Sequence, residues 1–568
     1  MESRAVSYDL LESMQDANRK STLNQENMSL PDYSDVVVAG GGLAGLTLAL
    51  QLKQRMPDLD ITVIERRLHP VPHGAHKVGE SSVEIGAHYF EKVLGLKPHL
   101  DSAQLKKFGF RFFFSDGRQD LHQVTELGAS RVLSTPSYQL DRGIFENELA
   151  RLAQEKGVRF IDGAVIRSFE LGENKAHHQV HFDAKGQSHR IKSRWLCDAS
   201  GRAGLIKRKL GLAELNDHDA NAVWFRIAER IDVNDWSTDE AWLDRCNPRS
   251  RWLSTNHLVG EGYWAWLIPL ASGSHSVGIV ADAKMHPIEQ INTFDKAMAW
   301  FKTHQPQLFE ALDSRRDKLQ DFAFFKRFSY GCKKVFSGAD RWALTGEAGL
   351  FLDPFYSPGS DFIAISNTYI TELIAIDRAD GATSMMADIY EQIYFSLYQN
   401  MLTLYTDQYR IFGDPEVLPI KVLWDYAYYW GIMCQLFFQN KLIDVSCMAR
   451  MRVKLAAIQA INTEMQLFFR AWNLVSTKRN PPQMLDQANL PWFAQLNKEL
   501  RDDLSDEQFA TRIDEQLLQL HALAAEIVVA SRKDYPALDA TALLKLLSPQ
   551  AYAKAQGRGA QYLFGALA

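Results

Sequence analysis

Hydrophobic and polar positions along the chain predict an N-terminal region of alternating strands and helices. Residues 35–39 form a short apolar run, 43–52 an apolar helical pattern, and 61–65 a second strand pattern. Together they predict a β-α-β unit, which is the start of a parallel sheet. A further helix is predicted over 138–156 and a further strand over 158–161.

A second sheet and a helical region are predicted further along the chain. Alternation at 178–182 and 188–195 indicates antiparallel strands, and 220–330 continues in strands with one helix at 291–303. From about residue 361 the apolar positions repeat with the helical period. One such stripe consists of Ile513, Leu517, Leu520, Ala524 and Ile527. The pattern predicts an α/β fold with an inserted antiparallel sheet and a helical C-terminal region.

Composition and charge exclude several classes of protein. The 568 residues are 46% hydrophobic and 23% charged, which excludes a disordered chain and a coiled-coil rod, although the polar residues 1–32 predict a flexible arm. The net charge of −6 is spread without a basic stripe, so nucleic-acid binding is not expected.

Localisation follows from apolar stretches and cysteines. No signal peptide begins the chain, and the most apolar stretch, 426–438, is shorter than the roughly 20 residues of a transmembrane helix. The cysteines are too scattered for a disulfide framework or a zinc site. They are Cys197, Cys246, Cys332, Cys434 and Cys447. We therefore expect a cytoplasmic protein with no metal site and no transmembrane segment.

A glycine fingerprint predicts a dinucleotide site. Gly40, Gly42 and Gly45 fit G-x-G-x-x-G between a predicted strand and helix, and Glu65 follows Gly45 by twenty residues at the end of the next strand. The glycines allow a pyrophosphate to approach the helix N-terminus, and the carboxylate can accept a hydrogen bond from a ribose hydroxyl. The alternative, a structural turn with a surface glutamate, does not explain this combination.

Two later segments favour FAD over NAD. Asp198 ends a predicted strand, and an apolar run leads into Gly346 and Glu347, followed by Asp353-Pro354. With the N-terminal fingerprint, this set resembles flavin monooxygenases built like aromatic hydroxylases. The resemblance implies that Asp198 contacts FAD and that Gly346 and Glu347 hold its ribityl chain, with Glu in place of the usual Asp. The pair Asp353-Pro354 either belongs to this flavin-binding set or is only a turn that starts a helix.

A tryptophan motif narrows the resemblance. Residues 264–269 match W-x-W-x-I-P, and strand alternation puts Trp264 and Trp266 on one face, where two indoles can wall a cavity or simply fill a core. The complete motif resembles that of flavin-dependent halogenases, and the resemblance covers about 34–375.

Other segments agree with this family. Lys77, Gly79 and Glu80 resemble the loop that contacts the flavin in flavin-dependent halogenases. Arg142 begins a helix that this family also has. The resemblance implies a Rossmann-type FAD-binding domain. The implied organisation is an arm at 1–32, an FAD-binding domain at 33–375 with a substrate-side sheet at about 205–335, and a helical region at 376–568.

The halogenase resemblance also implies a catalytic lysine. In that family reduced flavin and O₂ convert a halide into hypohalous acid, and a lysine passes the halogen to the substrate ring. Residues 105–112 resemble the segment that carries this lysine and favour Lys107, with Arg111 second. An ammonium there donates hydrogen bonds to hypohalous acid, or forms a chloramine if a dry pocket lowers its pKa. Alternatively, Lys106 and Lys107 are a solvated basic pair.

The chain departs from the family at the halide site. Tryptophan halogenases carry Glu-Ser-Thr-Gly where this chain has Tyr356, Ser357, Pro358 and Gly359. Tyr356 in place of Glu argues against tryptophan as substrate, and Pro358 lacks an N–H that could bind halide. Either the amides of Gly359 and Ser360 still bind an anion, or halide binding has been lost. Tyr356 and Ser357 are candidate catalytic residues, and Pro358 and Gly359 are candidate flavin contacts.

Two features near this loop have structural interpretations. Asp361 is expected to cap the following helix. The aromatic residues of 424–438 predict either a core or the lining for an apolar or carrier-tethered substrate.

These observations leave three functional hypotheses. The leading one is an FAD-dependent halogenase or halogenase-like oxygenase acting on a small aromatic or conjugated substrate, free or on an acyl carrier protein, in secondary metabolism. Its FADH₂ is expected from a separate flavin reductase, because the chain has one nucleotide fingerprint. The second is an aromatic hydroxylase or oxidase that has lost halide binding. The third is a flavin-bound scaffold in a biosynthetic assembly.

Overall fold

The computed structural model describes residues 32–558. The predicted N-terminal arm lies outside them except for Asp32. Within the described residues, no helix is both long enough and apolar enough to cross a membrane. The five cysteines are all free and buried.

Twenty strands alternate with seventeen α-helices along this range. The strands are β1 (Tyr33–Ala39), β2 (Ile61–Ile64), β3 (Leu105–Lys106), β4 (Phe110–Phe113), β5 (Glu126–Gly128), β6 (Tyr138–Gln139), β7 (Arg159–Ile161), β8 (Val165–Glu170), β9 (His178–Ala184), β10 (Gln187–Asp198), β11 (Ala213–Leu215), β12 (Ala220–Ile227), β13 (Thr255–Gly260), β14 (Tyr263–Pro269), β15 (His275–Asp282), β16 (Leu319–Phe325), β17 (Tyr330–Cys332), β18 (Phe336–Ser337), β19 (Trp342–Leu344) and β20 (Met484–Asp486).

The helices lie between and after these strands. They are α1 (Leu43–Arg55), α2 (Glu84–His88), α3 (Lys97–Ala103), α4 (Arg142–Glu155), α5 (Leu205–Lys209), α6 (Glu240–Leu243), α7 (Phe294–His304), α8 (Pro306–Asp313), α9 (Gly359–Arg378), α10 (Thr383–Leu402), α11 (Leu418–Tyr428), α12 (Gln435–Phe438), α13 (Val445–Val475), α14 (Pro491–Glu499), α15 (Asp506–Asp534), α16 (Thr541–Leu546) and α17 (Pro549–Arg558).

The first sheet contains the predicted β-α-β unit and confirms the Rossmann-type fold. Strand β1 pairs in parallel with β2 on one side and β10 on the other, and β7 and β19 extend the parallel order in the two directions. Strand β18 pairs antiparallel with β19 at one edge. Helix α1 connects β1 to β2 and is buried along most of its length because it packs between the sheet and neighbouring helices. Strands β8 and β9 add antiparallel pairs to β10, as the alternation at 178–195 predicts.

The second sheet draws strands from distant parts of the chain. Its order is β16-β12-β15-β14-β13-β4-β5-β20. Pairing is antiparallel except where β13 meets β4 and where β5 meets β20. Strand β20 comes from the otherwise helical region after residue 376, so that region is tied to the sheet. The proposed domain boundaries stay a prediction.

A buried ion cluster connects β4, β5 and the segment before β13. The guanidinium of Arg111 contacts a carboxylate oxygen of Glu126 and donates to the Ala129 carbonyl at 2.5 Å. Arg251 donates to the same Glu126 carboxylate at 2.8 Å. All three side chains are fully buried. Arg111 is therefore held in this cluster, away from the catalytic position for which it was predicted as the alternative to Lys107.

We expect Glu126→Gln to destabilise the protein strongly. It would leave two buried guanidiniums without a carboxylate, which costs about 3–5 kcal/mol. The urea midpoint, followed by tryptophan fluorescence, measures the loss. Asp244→Asn is the control, because it removes a carboxylate that pairs with exposed Arg249 and solvent screens that pair. Equal midpoints for the two variants would contradict a supporting role for the cluster.

Candidate active site

A cleft of about 580 Å³ lies at the carboxyl ends of β1, β2 and β10. This is the edge of a parallel sheet where nucleotides bind in open α/β folds. Many of the predicted cofactor residues line it. They are Gly40, Gly42, Glu65, Lys77, Arg142, Gly346 and Glu347.

The glycine turn is shaped for close backbone approach. A Cβ at Gly45 would lie 1.9 Å from the Gly40 carbonyl oxygen, and one at Gly40, where φ is +116°, would lie 2.4 Å from the Ala199 oxygen. Glu65 accepts a hydrogen bond from Gly41 N at 2.6 Å, which holds its carboxylate against the turn at the end of β2. The backbone N–H groups at the start of α1 and the lack of side chains in this turn fit a dinucleotide whose pyrophosphate lies there.

Glu146, which the sequence analysis missed, holds several predicted residues together. Its carboxylate accepts from His76 Nε2 at 2.8 Å and from Lys77 Nζ at 3.1 Å, and it contacts the Arg142 guanidinium. Burial raises the pKa of Glu146, but Arg142, His76 and Lys77 together outweigh burial and hold that pKa well below its ordinary value. The sequence feature that could have revealed Glu146 is its i, i+4 spacing from Arg142 on one helix.

Two other predicted cofactor residues, Asp198 and Glu80, form hydrogen bonds with neighbouring residues of the chain. Asp198 lies beneath the cleft and outside its lining, where its carboxylate accepts from Ser200 N at 3.0 Å and Ile206 N at 2.8 Å. It therefore positions the turn after β10. Glu80 faces a smaller cavity and is bound by Arg226, whose Nη2 lies 2.6 Å from Glu80 Oε1.

That smaller cavity, here called the inner cavity, has a volume of about 150 Å³ and continues from the cleft. Trp264 and Trp266 line it side by side, with ring centroids 5.6 Å apart, as their alternation predicts. Trp264 Nε1 donates to Tyr409 at 3.2 Å and Trp266 Nε1 to Ser276 at 3.1 Å, so both indole N–H groups are anchored. Gly278 leaves room for Trp266, because a Cβ there would lie 2.2 Å from the ring.

The loop before α9 forms one wall of the inner cavity. Ser357, Pro358 and Gly359 line it, and Ser357 has a left-handed backbone with φ of +53°. Asp353 accepts from Phe355 N at 2.8 Å, which matches the interpretation of Asp353-Pro354 as a helix-start turn. Tyr356 points elsewhere: its hydroxyl donates to Asp425 at 2.7 Å, and its ring lines a third cavity.

The expectation that Asp361 caps α9 is wrong. Helix α9 begins after Pro358 without a side-chain cap. Asp361 instead accepts from Gly86 N at 2.8 Å and from the Tyr429 hydroxyl at 2.7 Å, so it binds the N-terminus of α2 from another part of the chain. Burial raises the pKa of Asp361 to about 8.

The third cavity, here called the aromatic cavity, is about 20 Å³ and lies toward the helical region. Its lining is aromatic with two carboxylates. The lining residues are Val83, Phe110, Tyr356, Asp361, Met401, Leu404, Asp425, Tyr426 and Tyr429. The aromatic residues of the helical region are therefore largely core, with Tyr426 and Tyr429 at this cavity.

Lys107 lies between the inner and aromatic cavities. Its Nζ donates to Ser81 Oγ at 3.0 Å and to the Ser82 carbonyl at 3.1 Å, and it lies 3.5 Å from the centre of the Phe110 ring. Ser81 lines the inner cavity and Phe110 the aromatic cavity. Burial lowers the pKa of Lys107 to about 7, although Glu84 and Asp361 act in the opposite direction. Lys107 is thus not part of a solvated pair, whereas Lys106 is exposed.

We expect Gly45→Ala to abolish tight FAD binding. The added Cβ collides with the Gly40 carbonyl and must displace the turn, so FAD affinity should fall by at least ~100-fold, about 2.7 kcal/mol of binding free energy. Titration of apoprotein with FAD, followed by flavin fluorescence, measures it. Gly557→Ala, which adds a Cβ to open space, is the control. Unchanged affinity in Gly45→Ala would place the cofactor elsewhere.

Comparison with known proteins agrees with this geometry. A family model described as an FAD binding domain matches residues 33–286. The chain is similar to flavin-dependent halogenase chlA of Dictyostelium discoideum, with 24% identity over 435 residues that cover 71% of this chain and 70% of that protein. It is also similar to 1H-pyrrole-2-carbonyl-(peptidyl-carrier protein) chlorinase of Pseudomonas fluorescens, with 27% identity over 349 residues that cover 58% of this chain and 73% of that protein.

Solved structures share the fold. Halogenase PltM superposes with a TM-score of 0.61 at 18% identity, covering 87% of this chain and 96% of that one. Flavin-dependent brominase Bmp2 has a TM-score of 0.52 at 22% identity, covering 67% and 89%. These findings confirm the resemblance predicted from the glycine fingerprint and the W-x-W-x-I-P motif: the chain is an FAD-dependent oxidoreductase related to the flavin-dependent halogenases.

Proposed function

We propose that this protein halogenates a small aromatic compound in secondary metabolism. The observation that carries the proposal is the position of Lys107, a buried amine between a cavity beside the nucleotide cleft and a cavity lined by aromatic residues. FAD, when bound, supplies the reductive activation of O₂ by which a halide becomes hypohalous acid. The similarity to a chlorinase of a carrier-bound pyrrole supports a substrate that is either free or on an acyl carrier protein.

The residues that would hold FAD follow the cleft. Gly40, Gly42 and Gly45 leave space for the pyrophosphate, and Glu65 would bind the ribose. Further along, Gly79, Gly346, Glu347, Pro358 and Gly359 lie at the inner cavity. The indoles of Trp264 and Trp266 close that cavity and exclude water, which protects a reactive halogen species from hydrolysis or reaction with solvent.

Halide binding is proposed at the start of α9. The first intrahelical hydrogen bonds there come from Asp361 N and Phe362 N, both to the Pro358 carbonyl. The N–H groups of Gly359 and Ser360 precede them and belong to the positive end of a 20-residue helix. They would bind the anion despite the missing N–H of Pro358.

Lys107 would receive the halogen. A neutral amine is needed to react with hypohalous acid, and the lowered pKa of Lys107 makes this form accessible near pH 7. Phe110 and Ser81 surround Nζ and limit side reactions with water. A separate flavin reductase would supply FADH₂, since the sequence has a single nucleotide fingerprint, and we propose that both proteins act in the cytoplasm.

An aromatic hydroxylase is the second candidate. Two observations favour it: Pro358 supplies no N–H at the halide loop, and the Tyr356 hydroxyl is directed to Asp425. In that case Ser357, which lines the inner cavity, would be the candidate catalytic hydroxyl of this loop.

We expect halide-dependent chemistry from the native protein. Chemically reduced holoprotein mixed with O₂ and bromide should brominate monochlorodimedone, a trap for hypobromous acid, and should not do so without bromide. If reoxidation and products are the same with and without bromide, and NADPH alone reduces the bound flavin faster with a phenol present, the hydroxylase candidate replaces this proposal.

Lys107→Met should separate halide oxidation from substrate halogenation. The variant keeps a long apolar side chain in the buried site, so FAD binding and bromination of the diffusible trap should persist, while bromination of a phenolic substrate falls by at least ~100-fold. Lys106→Met, beside it but exposed, is the control and should match the native protein. Substrate bromination retained in Lys107→Met would remove Lys107 from the mechanism.

A further inference from the structure

One indole in the wall of the inner cavity is held from the helical region. Trp264 Nε1 donates to the Tyr409 hydroxyl at 3.2 Å. Tyr409 begins a 3₁₀ turn, Tyr409–Gly413, that lies between α10 and α11, and both side chains are buried. Trp266, in contrast, donates to Ser276 on the neighbouring strand β15. The two indoles of the W-x-W-x-I-P motif are therefore anchored to different parts of the chain.

The turn that carries Tyr409 is fixed against the hairpin that carries Trp264. Gly262 N, in the connection between β13 and β14, donates to the Tyr409 carbonyl at 3.0 Å. A Cβ at Gly413 would lie 2.4 Å from Glu261 N, so the far end of the turn also contacts this connection through its backbone. Because both ends of the turn contact the hairpin, the Tyr409 hydroxyl has a fixed place relative to the indole.

The Tyr409 hydroxyl is also bound to a carboxyl group, that of Asp353. Asp353 Oδ2 lies 2.5 Å from the Tyr409 oxygen and 2.6 Å from His218 Nε2, and Oδ1 accepts from Phe355 N at 2.8 Å. Asp353 is only 1% exposed and lines the inner cavity. A buried carboxylate requires donors on its oxygens. Asp353 has three, and those from Tyr409 and His218 come from distant parts of the chain.

The direction of each hydrogen bond follows from the chemistry of the groups. An ionised carboxylate only accepts hydrogen bonds, so Tyr409 directs its proton at Asp353, and His218 carries the proton of its contact on Nε2. A hydroxyl group has one proton and two lone pairs. With its proton bound by Asp353, the Tyr409 oxygen has a lone pair left to accept from the Trp264 N–H. Asp353 therefore keeps the hydroxyl in the orientation that the indole needs.

Aromatic packing joins the same three segments at the cavity wall. The ring of Phe355, in the loop before α9, has its centroid 5.3 Å from that of Trp264. Its other neighbour is Phe412 of the 3₁₀ turn, which stacks on it at 4.3 Å with an angle of 12° between the ring planes. The position of Trp264 thus depends on the loop and on the turn together.

We infer that Tyr409 and Asp353 are positioning residues, which hold the Trp264 indole in the wall of the inner cavity. The inference deepens the proposed halogenase function and rests on it. A halogen species formed in the inner cavity has to reach Lys107 before it reaches bulk water, and a fixed indole keeps the wall closed. Through Tyr409, the helical region then contributes directly to this retention.

The first test needs neither halide nor substrate. The chain has 13 tryptophans, and their indole N–H groups can be followed by NMR in ¹⁵N-tryptophan-labelled oxidised holoprotein, with Trp264→Phe assigning the Trp264 signal. In Tyr409→Phe, which removes only the hydroxyl, the Trp264 N–H should exchange with solvent at least ~10-fold faster, because it loses its acceptor. Asp353→Asn should accelerate the exchange in the same direction, because the Tyr409 hydroxyl loses its fixed orientation.

Tyr390→Phe is the matched control. It removes another buried tyrosine hydroxyl of the helical region, one that contacts the Ile443 carbonyl at 3.5 Å. Tyr390 lies outside the lining of the cleft, the inner cavity and the aromatic cavity. The Trp264 N–H should exchange at the native rate in this variant, and the Trp266 N–H should do so in all three variants.

The second test measures how the halogen is divided between two acceptors. Holoprotein with equal FAD occupancy is given bromide, a phenol and the diffusible trap together, and the ratio of brominated phenol to brominated trap is measured. In Tyr409→Phe and Asp353→Asn this ratio should fall at least ~10-fold, because a loosened Trp264 lets hypobromous acid leave the inner cavity before it reaches Lys107. A loss of folded protein would lower both products in proportion, and Tyr390→Phe should keep the native ratio.

The outcomes separate this inference from the function on which it rests. If the native protein never brominates the trap, the halogenase function fails, and the exchange rates alone decide whether Tyr409 and Asp353 position Trp264. Native exchange of the Trp264 N–H in Tyr409→Phe overturns the positioning. Faster exchange in Tyr409→Phe with native exchange in Asp353→Asn removes Asp353 from the inference. Faster exchange in both variants with an unchanged product ratio refutes retention by Trp264, while the halogenase function stands.

Discussion

The burial of one ammonium group constrains the rest of the site. Lys107 reaches no bulk water, and a buried charge is tolerated only with hydrogen bonds and an opposite charge nearby. Its neighbours come from two separate parts of the chain: the stretch that contains Ser81, Ser82 and Glu84 at the start of α2, and Asp361 on α9. The site therefore forms only when α2 and the start of α9 pack together against the segment that follows β3.

The requirement that a buried charge has an opposite charge nearby also explains the arrangement of charges at the cleft. Glu146 is a buried carboxylate beside the start of α1, where an anionic pyrophosphate would sit, and alone it would repel that ligand. His76, Lys77 and Arg142 surround it. Because burial lowers the pKa of His76, the excess of positive charge at the cleft comes from Lys77 and Arg142. At Lys107 the charges are arranged the opposite way, because the carboxyl groups of Glu84 and Asp361 both attract one ammonium.

Local patterns in the sequence predicted the fold and the cofactor but not the long-range contacts around Lys107. The turn at Gly40–Gly45 and the paired indoles of Trp264 and Trp266 follow from residues a few positions apart, so a short motif contains them. Asp361 looked like a helix cap by the same local reasoning. Its actual partner, Gly86 N, is 275 residues away, and only the packing of α9 against α2 brings the two together.

The small size of the aromatic cavity limits how a substrate can meet Lys107. A volume of about 20 Å³ is enough for one water molecule and far too small for an aromatic ring. A ring can reach Lys107 from this side only if the side chains of Phe110, Tyr426 and Tyr429 move. Tyr429 begins a π-helical turn, Tyr429–Cys434, and such turns are common at functional sites because their looser hydrogen bonding permits local shifts. Since Tyr429 also holds Asp361, movement there would couple ring entry to the charges around Lys107.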